Sequence, residues 1–208
     1  MIRFCQNLLT ASIHGSVVIL AVMLLRLLLK KTPRKYICFL WMLAGIPLLM
    51  PISVQSTFSL QPTSIRLPAI SSQLVWIVWG CVAALIVAVS LLAYLRLQKQ
   101  VKGAAKVRGG YESDKIDTAF VLGFFKPKIY IPSGMSPAAR TQILAHERTH
   151  LEKGDHWMKV IAFLALALHW FNPLAWLALR AFEHDMEAAC DEAAVQGCTL
   201  AERSTYCE

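Results

Sequence analysis

The chain has 208 residues, of which 56% are hydrophobic and only 16% are charged, and its net charge is +8. A soluble globular domain averages about 45–50% apolar and about 25% charged residues, so this composition excludes an ordinary soluble protein. It indicates a membrane protein with one small polar domain. The six cysteines contain no Cys-x-x-Cys pair, which favours unpaired apolar cysteines over a disulfide framework.

Three apolar runs predict transmembrane helices, because about 20 apolar residues cross a bilayer. The first run is expected to be a retained anchor, since no convincing cleavage site follows it. It contains His14, for which a packed or interfacial position is expected rather than a functional one. The second run is short and carries Pro47 and Pro51. The three runs cover about residues 8–29, 37–54 and 74–95.

Lysine and arginine set the orientation of these spans, because cytoplasmic loops carry an excess of both. The loop after the first run holds four basic residues and segment 96–156 holds eleven, whereas loop 53–73 holds only Arg66. We therefore place the first loop and segment 96–156 in the cytoplasm. The membrane and its anionic lipids explain these basic residues, so no direct binding of nucleic acid is expected.

A small sheet and a capped helix are predicted after the third span. Thr118–Gly123 and Lys128–Pro132 have the composition of short strands. Ser136 is expected to cap a helix that starts at Pro137 and stops at Gly154. In zinc peptidases such a sheet precedes the active-site helix, and its edge strand can hold an extended peptide. The sequence leaves open which strand is the edge.

The predicted helix carries the motif His-Glu-Arg-Thr-His. His146 and His150 are four residues apart, so their rings share one helix face and can bind one Zn²⁺ ion. Glu147 is placed to act as general base, taking a proton from the attacking water, whose pKa zinc lowers to about 7. The alternative is a surface helix with two solvated histidines.

A third ligand is expected from an acidic stripe further along the chain. Glu183, Glu187 and Asp191 are spaced to lie on one face of one helix. A solvated stripe is the ordinary explanation, but neighbouring apolar residues favour burial of some of these acids. A buried carboxylate needs a partner such as a metal.

The apolar segment between the histidines and the acids is predicted to be a re-entrant hairpin over residues 157–180. The dipeptide Asn172-Pro173 interrupts it, because proline disfavours continued helix. Residues 157–171 would form a helix of about 22 Å, short of the roughly 30 Å hydrocarbon core. A hairpin that dips into the membrane or packs on other helices returns the acids to the histidines. His169 at its turn is expected to be packed rather than a ligand.

Four blocks of this sequence resemble the membrane-embedded peptidase domain of the BlaR/MecR family, peptidase family M56. The resemblance covers essentially the whole chain and implies a gluzincin-type zinc site. It implies that His146 and His150 are zinc ligands, Glu147 is the general base and Glu187 is the third ligand. Asp191 would then orient a ligand histidine. The blocks are VLGFFKPKIYIP, HERTHLEKGDH, HWFNPLAW and DMEAACDE.

The predicted fold is a mostly α-helical membrane protein. Residues 1–96 form a region of three transmembrane helices. Residues 97–208 form a small α+β, gluzincin-like zinc peptidase domain on the cytoplasmic face, which includes the re-entrant hairpin. The resemblance further implies a multi-pass protein of the bacterial plasma membrane whose active site faces the cytoplasm.

The resemblance implies a metalloendopeptidase that cleaves a cytoplasmic protein in signal transduction. Family members typically cleave a transcriptional repressor of antibiotic-resistance genes and also cleave themselves. The best-known members continue into a further span and an extracellular penicillin-binding sensor. This chain has no Ser-x-x-Lys acylation motif, so it is expected to be the N-terminal peptidase part.

Two other functions stay open at the level of sequence. A housekeeping membrane protease of the Ste24/HtpX type also combines the histidine motif with a later acidic pair. Such proteases place two full spans between the motifs, and the residues from Leu151 to Phe182 are too few for that. A non-catalytic zinc-binding transducer fragment is the other alternative.

The expected partners are a protein substrate and the lipid bilayer, and a homodimer is left open. No residue is assigned to stabilising the oxyanion of the reaction. The candidates for that role are Arg180, His184 and Tyr206.

Overall fold

The structure is a computed structural model that describes residues 2–29, 31–49 and 72–196. This part of the chain is mostly helical and contains one small sheet. The elements are α1 (Ile2–Leu28), α2 (Arg34–Leu49), α3 (Ser72–Gln100), β1 (Ala105–Val107), β2 (Gly110–Ser113), β3 (Phe120–Leu122), β4 (Lys128–Pro132), α4 (Pro137–Lys153), α5 (Asp155–Leu168) and α6 (Pro173–Gln196).

Within the described residues, two helices are long and apolar enough to cross a membrane, judged by length and composition. These are Asn7–Leu28 in α1 and Gln73–Gln100 in α3, which correspond to the first and third predicted spans. α2 contains the start of the second predicted span, with Pro47 inside the helix. Residues 50–54 of that span lie outside the described residues, as does most of loop 53–73. The three-span topology therefore stays a prediction.

The chain divides into two compact units. One unit comprises residues 1–88 and 162–182, and the other comprises residues 89–161 and 183–208. We call them the apolar unit and the sheet unit and describe each separately.

In the apolar unit, α1 and α2 pack closely along matching stripes of buried residues. A Cβ atom at Gly15 would lie 2.4 Å from the Leu48 side chain, so glycine permits this close approach. Small residues at helix interfaces have the same role in membrane proteins generally. The stripes are Ala11, Gly15, Ile19 and Val22 on α1, and Ile37, Trp41, Ala44 and Leu48 on α2.

The turn between α5 and α6 is held by buried polar contacts inside the apolar unit. The Asn172 amide donates to the hydroxyl oxygens of Ser12 at 2.9 Å and Ser16 at 2.8 Å. The buried His169 places Nε2 2.9 Å from the carbonyl oxygen of Leu48. The predicted break at Asn172-Pro173 is therefore present, and His169 is packed and hydrogen-bonded as expected.

The sheet unit contains a four-stranded sheet in the order β1-β2-β4-β3. β2 and β4 are parallel, whereas the two outer pairs are antiparallel. β3 therefore lies at an edge and β4 lies inside, which decides a question that the sequence left open. β1 and β2 were not predicted, because they are short and their residues do not alternate clearly between apolar and polar. The core of this unit contains Val101, Ile116, Leu122 and Tyr130.

α4 has the bounds that its caps predict. The Ser136 side chain accepts a hydrogen bond from the Ala139 N–H, and Pro137 is the first helical residue. Gly154 ends the helix in the left-handed conformation, with φ of 73°. Glycine adopts this conformation without a steric penalty, which explains the sharp stop. The next helix begins directly afterwards at Asp155.

We expect Asn172→Ala to destabilise the apolar unit by roughly 1–3 kcal/mol, because it removes buried hydrogen bonds to two serines. The measurement is thermal unfolding of the purified chain in detergent. Gln73→Ala changes an exposed polar residue of α3 and is the matched control. Equal unfolding midpoints for the two variants would contradict the assigned role of Asn172.

Candidate metal centre

Three side chains of the sheet unit bring one donor atom each to a common point. His146 and His150 lie one turn apart on α4, with their Nε2 atoms 3.1 Å apart. Glu187 on α6 places Oε2 3.0 Å from Nε2 of His150 and 3.7 Å from Nε2 of His146. Tetrahedral Zn²⁺ with bonds of about 2.0–2.1 Å separates its ligand atoms by about 3.3 Å. The three donors therefore fit a zinc ion.

The charge of this donor set also suits a cation. Hydrogen bonds from His146 and His150 hold the pKa of Glu187 well below its usual range, although burial opposes this shift. Burial by itself would lower the pKa of His150, but hydrogen bonds with Asp155, Cys190 and Glu187 raise it to about 11. Glu187 is thus an anion at neutral pH, and a metal that binds His150 must displace a proton.

Asp155 orients His150 from the side opposite Glu187. Its Oδ2 lies 2.7 Å from Nδ1 of His150, and both residues are buried. A proton held on Nδ1 by this carboxylate leaves the Nε2 lone pair directed at the donor set. Sequence reasoning missed Asp155, because an acid in the first turn of a helix ordinarily stabilises the helix dipole.

Asp191 stands in the corresponding position beside the other histidine. Its Oδ1 lies 3.4 Å from Nδ1 of His146, and its side chain is 58% exposed. This contact is longer than the contact between Asp155 and His150, and it is more exposed to solvent. The predicted role of Asp191 as an orienting acid has the required geometry and stays a prediction.

Cys190 completes a second buried group with His150 and Asp155. Its Sγ lies 3.3 Å from both Nδ1 of His150 and Oδ2 of Asp155. These three side chains could themselves hold a metal ion. The group uses Nδ1 of His150, however, and that atom is already hydrogen-bonded to Asp155. We therefore assign Cys190 to the support of His150.

Glu147 and Lys159 flank the three donors. Burial raises the pKa of Glu147, and the nearby positive charges of the two histidines oppose the shift. Lys159 on α5 places Nζ 3.1 Å from Oε1 of Glu187, the oxygen that faces away from the histidines. Because the Glu187 side chain is 46% exposed, the centre is open to solvent on this side.

The remaining sequence candidates are not brought to this centre in the described contacts. Glu183 and His184 are exposed on α6, about one turn before Glu187. Arg180 belongs to the apolar unit, and Tyr206 lies outside the described residues. Of the acidic stripe, Glu187 and Asp191 reach the histidines.

We expect Asp155→Asn to weaken zinc binding about 10- to 100-fold, because the neutral amide no longer fixes the tautomer of His150. Zinc affinity is measured by competition with a chromogenic chelator. Glu152→Gln removes an exposed acid of α4 and is the matched control. Unchanged affinity in Asp155→Asn would show that the carboxylate does not position His150.

Comparison with known proteins identifies the family. The model of the BlaR1 peptidase M56 family matches residues 61–208, which is more than two thirds of the chain. A comparison with curated protein sequences gave no significant match. M56 peptidases are generally metalloproteases, which agrees with the histidines and acid described above. The chain belongs to the BlaR1 peptidase M56 family.

Proposed function

We propose that this membrane peptidase is a zinc-dependent endopeptidase that cleaves a protein substrate at the cytoplasmic face of the membrane. One observation carries the proposal: the donor atoms of His146, His150 and Glu187 lie 3.0–3.7 Å apart. Family membership supports peptidase activity. The zinc dependence is inferred from the donor atoms, their spacing and the carboxylate of Glu147 beside them.

Each side chain of the candidate metal centre has its own proposed role in hydrolysis. The two histidines and Glu187 would hold the zinc ion, which when bound would supply Lewis-acid chemistry at the scissile carbonyl. Glu147 takes the proton from the attacking water, and its raised pKa brings it closer to neutral pH, where a general base works best. It then returns the proton to the leaving amine. Asp155 and Asp191 hold the histidine rings in position.

The outer edge of β3 pairs with no other strand in the described part of the chain, and it is the proposed platform for the substrate. β3 lies at the end of the sheet and packs against α4, the helix that carries the two histidines. An unpaired strand edge binds an extended peptide through main-chain hydrogen bonds, so the peptide would lie across the metal centre. β4 is paired on both sides and is not available for this role.

The proposed topology keeps the metal centre in the cytoplasm. α5 has 14 residues and is about 21 Å long, which is short of a full crossing. The contact between Lys159, before the turn, and Glu187, after it, supports a reversal of the chain between them. We propose that α5 and the start of α6 form a re-entrant hairpin, and that three spans anchor the protein in a bacterial plasma membrane.

The proposed biological role is signal transduction by cleavage of a cytoplasmic protein. The resemblance noted in the sequence makes a transcriptional repressor the first candidate substrate. The competing view is a zinc-binding transducer that hydrolyses nothing. The endopeptidase and the transducer differ in whether the signalling output requires the carboxylate of Glu147.

The purified chain in detergent is expected to hold about one zinc ion, because three donors complete one open tetrahedral site. Both His146→Ala and Glu187→Ala are expected to lose it, whereas Glu183→Ala, one turn earlier on α6, is expected to retain it. Metal content is measured by mass spectrometry of the dialysed protein. Zinc retained in Glu187→Ala would remove that residue as a ligand.

Glu147→Gln is expected to retain zinc and to lose about 10²- to 10⁴-fold in hydrolysis of an unstructured protein such as fluorescent casein. The amide keeps the size of the side chain but cannot accept the proton. Glu152→Gln on the exposed side of α4 is the control and is expected to remain active. A zinc-loaded wild type that cleaves neither casein nor itself would favour the transducer.

A further inference from the structure

A basic cavity lies at the C-terminal end of α3, inside the sheet unit. Its volume is about 510 Å³. The end of α3 and the residues after it provide one wall, and β2 with β4 provides the other. It is separate from the candidate metal centre, since none of the metal-ligand candidates lines it. The polar lining residues are Gln98, Lys99, Lys102, Tyr111, Lys128 and Tyr130.

The lining carries three lysines and no carboxylate. Lysines in the last turn of a helix or just after it ordinarily stabilise the negative end of its dipole. Lys99 lies in the last turn of α3 and Lys102 lies two residues beyond its end, so the dipole explains both taken alone. It does not explain Lys128, which comes from β4 and places Nζ 4.8 Å from the centre of the Tyr111 ring. Cations that converge from two elements on one cavity favour an anionic ligand.

The helix surface that leads to the cavity is apolar and exposed. Leu91 is 55% exposed and Leu95 is 42% exposed. Together with Gln98 they are spaced at i, i+4 and i+7, so they follow one face of α3 toward the cavity, and Lys102 lies just beyond the end of this helix. A ligand with an anionic head and an apolar tail matches both surfaces, whereas a free anion matches only the cavity.

We infer that this cavity binds the phosphate headgroup of an anionic phospholipid. The lysine ammonium groups would neutralise the phosphate, and the tyrosine hydroxyls can donate hydrogen bonds to its oxygens. The acyl chains would lie along Leu91 and Leu95. Basic pockets on the cytoplasmic side of membrane helices bind anionic lipids in this manner. The inference does not depend on zinc binding or on hydrolysis.

The bound lipid would join two elements of the sheet unit. Lys99 comes from the end of α3, Lys102 comes from the turn after it, and Lys128 comes from the strand beside β3. A phosphate shared among them would fix the end of α3 against the sheet that presents the proposed substrate edge. The membrane composition would thereby influence how the sheet is held.

Native mass spectrometry of the delipidated full-length chain tests the site. The chain is titrated separately with phosphatidylglycerol, phosphatidylcholine and inorganic phosphate. The variants are Lys102→Gln and Lys128→Gln, and the matched controls are Lys115→Gln and Lys126→Gln, two exposed lysines of the same unit that do not line the cavity. Zinc content and thermal unfolding verify that each variant is folded.

We expect one phosphatidylglycerol to bind with preference over phosphatidylcholine. Each cavity variant should lower the affinity for phosphatidylglycerol about fivefold, because one lysine near an anionic lipid surface contributes about this much. The affinities of the control variants should remain unchanged. Equal weakening in the controls would indicate diffuse surface attraction and overturn the site. Binding of inorganic phosphate with the same affinity as the lipid would overturn the lipid assignment and leave a phosphate pocket.

Discussion

The contacts between the two histidine rings on α4 and the carboxylates beside them are the interactions on which the rest of the candidate metal centre depends. His150 lies between Asp155 at 2.7 Å and Glu187 at 3.0 Å, so each ring nitrogen faces one acid. Gly154 makes the first contact possible, because its left-handed conformation ends α4 and starts α5 within one residue. The second contact joins α4 to α6, so the chain must turn back after α5 to form it. The centre thus links local chain geometry to long-range topology.

The proposed re-entrant hairpin rests on a mismatch between the length of α5 and the thickness of a bilayer. A helix of 14 residues is too short to cross the hydrocarbon core. At the turn that follows, the Asn172 amide donates hydrogen bonds to the hydroxyl oxygens of two serines of α1. Inside a bilayer, where the proposed hairpin would lie, such a turn needs internal hydrogen-bond partners, since the hydrocarbon core holds no water to replace them. The polar residues of the turn hold it to α1 within the apolar unit.

The sheet unit combines three features with different chemistry: the candidate metal centre, the outer edge of β3 and the basic cavity. α4 packs against β3 and β4, and β4 also contributes Lys128 and Tyr130 to the cavity. A single central strand therefore adjoins both the proposed substrate strand and the proposed lipid site. β4 is therefore a short physical connection between the proposed lipid site and the proposed substrate strand.

The sequence by itself determined the features that depend on neighbouring residues. The caps at Ser136 and Gly154, the pairing of His146 with His150 and the break before Pro173 all follow from spacing within one or two turns. The spacing of Glu183, Glu187 and Asp191 left the third ligand open, the family resemblance named Glu187 and Asp191, and in the structure these two acids lie near the histidines. Only the tertiary structure made β3 the edge and added Asp155 and Cys190 to His150. These choices depend on which helix faces and strands meet in space. Periodicity identifies a helix face, but packing decides what lies opposite it.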